Sequence, residues 1–161
     1  MSASRQPVVR ATNQGRTISV VGDLYRFLAE GSDTAGKYAT FHATVPPGGG
    51  PPPHKHSREE ESFYVLEGEI TFSVDDKPTV AGPGTFVQMP VGVWHSFRNN
   101  SDRPARMIIS VAPAGLEQMF IEVGTPVAEG ATMIAPPSPE EIGKLLAAAP
   151  RYGIEIRVPP H

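Results

Sequence analysis

Residues 48–68 read GGGPPPHKHSREEESFYVLEG, and within them Gly48-x5-His54-x-His56-x4-Glu61-x6-Gly68 spaces two imidazoles and one carboxylate along a single stretch. On an extended strand, residues two apart share a face, so His54 and His56 project together while Lys55 points away. Glu61 opens the run Glu61-Ser62-Phe63-Tyr64-Val65-Leu66, whose β-branched and aromatic content predicts a strand entering a turn at Glu67-Gly68. Its carboxylate and the Phe63 ring then share a face.

Downstream, residues 82–99 (GPGTFVQMPVGVWHSFRN) carry a second pattern, Gly84-x5-Pro90-x-Gly92-x2-His95-x3-Asn99. Gly82-Pro83-Gly84 and Pro90-Val91-Gly92 read as turns bracketing Thr85-Phe86-Val87-Gln88-Met89, with His95 just inside the next strand. Together the two patterns supply His54, His56, Glu61 and His95, a nitrogen and oxygen donor set that suits a divalent transition metal.

These blocks resemble the two motifs of the cupin superfamily, matching each defining Gly, Pro, His, Glu and Asn, with Glu69–Pro83 as a short segment between them. The wider setting, from Leu24-Tyr25-Arg26-Phe27-Leu28 through the Pro and Gly run to Leu66-Glu67-Gly68, is similar to quercetin 2,3-dioxygenase-like single-domain cupins. The resemblance implies an all-β fold, the cupin double-stranded β-helix or jelly-roll barrel with short C-terminal helices. It also implies one divalent metal ion per chain (Fe, Mn, Ni, Cu, Co or Zn) held by His54, His56, Glu61 and His95, with Glu61 as ligand and catalytic base together. Glu59 and Glu60 could compete with Glu61, but the spacing to Gly68 selects Glu61, and an acidic run beside Arg58 is expected to be a solvated loop.

Activity is expected from an open coordination position: a dioxygenase cleaving a flavonol-like or other enolisable aromatic substrate with O2. Two alternatives stay open. One is isomerisation, decarboxylation or hydrolysis of a small metabolite on the same metal; the other is a non-catalytic small-molecule-binding module. Phe63 and Phe97, each two residues beyond a ligand, together with Phe41 and Met89, are the candidate substrate pocket. In Tyr38–Val45 the apolar Phe41, Ala43 and Val45 share a face, which puts His42 on the other; Trp94 likewise points away from His95. Both are expected to serve packing or an interface, and His161 to be exposed.

Composition agrees with this reading. A chain of 161 residues, 39% hydrophobic and 19% charged, suits one domain, 1–161, with a barrel core over about 16–112, an arm over 1–15 and a C-terminal extension over 113–161. Eighteen Pro and sixteen Gly favour short strands joined by turns. A net charge of -3 without a basic run gives no footprint for nucleic acid or an anionic membrane, and neither partner is expected. Without a signal-peptide pattern or an apolar run of about twenty residues, the expected location is cytoplasmic. The absence of cysteine leaves only nitrogen and oxygen ligands. Expected partners are O2, a small and possibly aromatic substrate, and a second copy in a homodimer formed through residues before Lys37.

Strands are predicted over Thr17–Val21, Leu24–Glu30, Lys37–Val45, Ile70–Val74 and Ala105–Val111, with a loop at Gly31–Gly36, Asp75–Pro78 as a strand end, and barrel closure near Ala112. A short helix is expected over Gly115–Glu122. Ser138-Pro139-Glu140-Glu141 is a helix start with Ser as N-cap and Pro in the first helical position, and Pro150 stops that helix. Its Ile142, Leu145 and Leu146 share a face that should dock on the barrel or a second subunit. Tyr152–Ile156 could add a terminal strand.

Overall fold

In the computed structural model, which describes residues 5–132 and 135–157, twelve strands form two antiparallel sheets packed as a jelly roll. His161 lies outside the described residues. The chain runs through β1 (Thr17–Val20), β2 (Asp23–Ala29), β3 (Ala39–Val45), β4 (His54–His56), β5 (Glu60–Glu67), β6 (Ile70–Val74), β7 (Lys77–Ala81), β8 (Phe86–Met89), β9 (His95–Arg98) and β10 (Ala105–Ala112). It continues into β11 (Thr125–Val127) and β12 (Ile154–Ile156). The larger sheet has the order β11-β1-β2-β3-β10-β5-β8 and the smaller β12-β4-β9-β6-β7.

Alternation explains which face each strand buries. Along β3, Ala39, Phe41, Ala43 and Val45 turn inward, and along β10 so do Ala105, Met107, Ile109 and Val111. Phe27, Phe63, Phe72 and Ile70 complete the same core. Burying a Phe or Ile side chain contributes roughly 1.5–3 kcal/mol, so these strands are fixed in register by their inward sets. Asn99 is fully buried because its side chain ties the end of β9 to its neighbours. Its Nδ2 donates to the carbonyls of Val45 and Arg103, and its Oδ1 accepts from the Ser101 backbone and hydroxyl.

Several local expectations are corrected. The segment Gly31–Gly36, expected as a loop, contains the short helix α1 (Gly31–Thr34), closed at its start by reciprocal Glu30 and Asp33 contacts. The turn after β6 is Asp75-Asp76 alone, both with positive φ (48° and 65°), as a two-residue hairpin needs. Lys77 and Pro78 therefore belong to β7, where Pro78 is tolerated because β7 is an edge strand.

The barrel does not finish at Ala112. After α2 (Leu116–Val123), β11 pairs with β1, and after α3 (Pro139–Ala148) and a 3-10 turn at Ala149–Tyr152, β12 pairs with β4. The start of α3 follows its sequence signature: the Glu141 backbone N–H donates to the Ser138 hydroxyl at 3.1 Å. Of its apolar face, Leu145 packs against the core, whereas Ile142 and Leu146 stay partly exposed. In the N-terminal arm, Arg10 donates to the Leu28 carbonyl at 2.7 Å and Arg5 to that of Asp33 at 3.0 Å.

Candidate metal centre

Three strands of the two sheets meet at one spot inside the barrel. His54 and His56 come from β4, His95 from β9 directly opposite His54, and Glu61 from β5 of the facing sheet. The loop before β4 fits tightly against β9. At Gly50 (φ +126°) a Cβ would collide with the Phe97 carbonyl, so glycine is required there for the histidine strand to lie in place.

One ligand atom from each of His54, His56, Glu61 and His95 lies within 4.8 Å of the others. That separation is close to the span of a coordination shell with metal–ligand bonds of about 2.1 Å. Glu61 Oε1 is 3.1 Å from His95 Nε2 and 3.6 Å from His56 Nε2. His56, Glu61 and His95 are buried, and His54 is half-buried.

Hydrogen bonds on the far side of each ring set the tautomers. His54 Nδ1 donates to the Pro52 carbonyl and His95 Nδ1 to the Val93 carbonyl, both at 2.9 Å. His56 Nδ1 meets the Glu59 carboxylate at 2.6 Å. Because a carbonyl can only accept, Nε2 of His54 and His95 keeps its lone pair for the interior. His56 Nε2 is buried with no hydrogen-bond partner among the described residues. A buried polar atom without a partner is costly, and an ion at the centre of the cluster would satisfy it. Three imidazoles and one carboxylate suit Fe, Mn, Co, Ni, Cu or Zn alike. The donor set therefore fits a single divalent ion.

The electrostatics of the metal-free cluster differ from group to group. Burial, then the neighbouring His95 charge, pushes the His54 pKa down to about 4. Burial also opposes the His56 cation, but the hydrogen bond it donates to Glu59 and the charges of Glu61 and Glu59 outweigh it and raise the pKa. For Glu61, burial pushes up while His95, whose Nε2 is 3.1 Å away, and the charges that His56 and His54 can carry pull further down, leaving it below the ordinary carboxylate range.

Glu59 overturns its expected role. It is 5% exposed, not solvated, because β5 begins one residue later and the preceding turn folds Glu59 back onto His56. Glu60, by contrast, is exposed and accepts from Gln88. The cavity beside the cluster is lined by Phe97, Tyr25, Asp23, Met119, Phe120 and Leu145, among others. Of the four pocket candidates, Phe97 lines it, while Phe41, Phe63 and Met89 lie buried in the core and are not among its lining residues.

Asp23, Tyr25 and the residues of α2 and α3 escaped sequence reasoning because no motif spacing links them to the histidines. His42 lies on the outer face of β3, paired across strands with Arg26, and Trp94 stacks beneath Arg157 and Lys55 at 4.4 and 5.0 Å.

Comparison with known proteins agrees with this geometry. The Cupin domain family model matches residues 41–111. The quercetin 2,3-dioxygenase of Bacillus subtilis (strain 168) is 28% identical over 120 residues, covering 74% of this chain but 35% of that protein. Protein SchB of Streptomyces halstedii is 35% identical over 82 residues, 50% of this chain and 59% of its own. The chain thus spans between about a third and three-fifths of these curated relatives. The crystal structure of a predicted oxalate decarboxylase from Thermotoga maritima shares the fold, with a TM-score of 0.61, 21% identity, and coverage of 66% of this chain and 99% of that one.

Proposed function

Because this chain belongs to the cupin superfamily, we propose that it is a metal-dependent dioxygenase that opens a flavonol-like or other enolisable aromatic substrate with O2. The observation that carries the proposal is the convergence of three ring nitrogens and one ionised carboxylate within 4.8 Å of one another, with His54, His56 and Glu61 lining the adjoining cavity. Sequence kinship over 74% of the chain with a quercetin 2,3-dioxygenase supports the reaction class.

A bound divalent ion would supply Lewis acidity toward the substrate hydroxyl and an exchangeable position. Around it, His54, His56 and His95 hold the ligand geometry through their Nδ1 hydrogen bonds. Glu61, kept ionised by the imidazoles, accepts the hydroxyl proton at its carboxylate. Phe97, Met119 and Phe120 exclude water from the electron-rich anion left behind.

An oxygen electrode tests this on protein reconstituted separately with each metal and offered flavonols and simpler enols. Oxygen uptake is expected, and Glu61→Gln should lower its rate by about a hundredfold or more, the range that general-base catalysis contributes. No uptake with any metal would contradict the proposal.

Cavity size favours a second reading. Its volume, about 80 Å³, has no room for the three rings of a flavonol. A compact metabolite undergoing isomerisation or decarboxylation would suit it without O2, and turnover under argon separates the two readings. Cytoplasmic location and a homodimer remain part of the proposal. The β1 edge is already paired with β11, so the proposed contact uses a sheet face instead of that edge. Light scattering at micromolar concentration should give twice the chain mass.

A further inference from the structure

The cavity has a polar group that the metal centre does not use. Asp23 opens β2 and is 3% exposed, and its Oδ1 is buried without a hydrogen-bond partner among the described residues. It lines the same cavity as His54, His56 and Glu61. The carboxylate packs over Gly49, where a Cβ would stand 2.7 Å from Oδ1, so the glycine run ahead of the histidines also makes room for this acid.

Tyr25, two residues on along the same strand, lines the cavity too. Burial, followed by the charges of Asp23 and Glu61, pushes its hydroxyl pKa well up, so both carboxylates lie within electrostatic reach of it. Burial likewise raises the Asp23 pKa to about 7, against the Gly50 N–H and the Tyr25 hydroxyl. Such an atom is expensive to bury and is ordinarily satisfied by something. Phe97, Met119, Phe120 and Leu116, which line the cavity with it, are apolar and offer it no donor.

We propose that Asp23 is the recognition residue for a hydroxyl group on the substrate other than the one directed at the metal. The substrate class is then a compact, single-ring enol-ketone with a donor arm: its hydroxyl and ketone face His54, His56, Glu61 and His95, and its arm donates to Asp23 Oδ1. This rests on the metal-centred reading above and narrows it from flavonol-like molecules to polyhydroxylated small ones.

Kojic acid and allomaltol are suitable probes, since they share the chelating hydroxyl and ketone and differ by one hydroxyl on the side arm. The nickel-loaded full chain is titrated calorimetrically with each under argon. Kojic acid should bind about ten- to a hundredfold more tightly, the range expected for a hydrogen bond to a charged acceptor. Asp23→Ala should bring both to the allomaltol affinity while metal content, read by elemental analysis, is unchanged; Asp23→Asn, which keeps an acceptor oxygen, should retain part of the preference.

Equal affinities in the wild-type chain overturn the inference without any variant, as does a preference that survives Asp23→Ala or failure of both compounds to bind. An oxygen electrode keeps the two claims apart. Preference for kojic acid without oxygen uptake on any enol upholds the role of Asp23 and sinks the dioxygenase reading. Oxygen uptake without the preference does the reverse.

Discussion

Glu59 is the residue on which the basicity of the site turns. Its carboxylate, 2.6 Å from His56 Nδ1, orients the ring and raises the electron density at Nε2. Glu59→Gln should therefore weaken metal affinity by about ten- to a hundredfold while the fold is retained, as measured by competition with a chelating dye. The same residue scale carries a pH prediction for the metal-free chain. His54, depressed to about 4 from 6.5, is neutral when folded, so its stabilisation is complete above pH 6.5 and is lost as pH falls toward 4. Asp23, raised to about 7 from 3.8, acts in the opposite sense: its contribution is present at low pH and is lost as pH rises toward 7. The effects are on the order of 3–4.5 kcal/mol and opposite in slope, so between about pH 4.5 and 6.5 they nearly cancel. Asp23→Asn should unmask a steep loss of stability on acidification through that window in urea titrations, where the wild-type chain is nearly flat. A slope unchanged by the substitution would contradict it.

At the scale of elements, β12 matters most to the site because its pairing with β4 places Ile154 beside His56 and Ile156 beside His54. Ile154 is 5% exposed, so Ile154→Ala should cost about 2–5 kcal/mol. Because the lost contact lies next to two ligands, metal dissociation should also quicken, which stopped-flow chelation would detect; an unchanged rate would mean that β4 is held by β9 alone. The strands bearing the candidate ligands were legible in the sequence, since alternation and turn chemistry are local and the motif spacing names His54, His56, Glu61 and His95. What closes over them was legible in part: the terminal strand expected over Tyr152–Ile156 forms as β12. β11 was not foreseen, because its three residues gain their identity from β1, far away in sequence. Glu59 was misread for a related reason: a charged run looks solvated until the fold brings an imidazole against one member of it. Phe41, Phe63 and Met89 show the same limit, since alternation identifies an inward face but not whether that face meets the cavity or the packed core.

Over the whole molecule, both sheets are needed to make one site. The five-stranded sheet carries the three histidines and the seven-stranded sheet brings Glu61 across to them. No helix among the described residues is long and apolar enough to cross a membrane. The C-terminal segment adds a strand to each sheet and supplies Leu145 and Ile154 to the cavity wall, so barrel, tail and metal centre are expected to unfold together. Chelation should accordingly lower the thermal midpoint of one transition rather than split it into two. The most direct measurement is metal stoichiometry by elemental analysis on chelator-stripped, reconstituted protein, wild type beside His56→Ala and His95→Ala. One ion per wild-type chain, lost from both variants while their circular dichroism is retained, is the expected result. Wild-type chain that takes up no ion, or variants that bind as well as the wild type, would contradict a centre built from these four side chains.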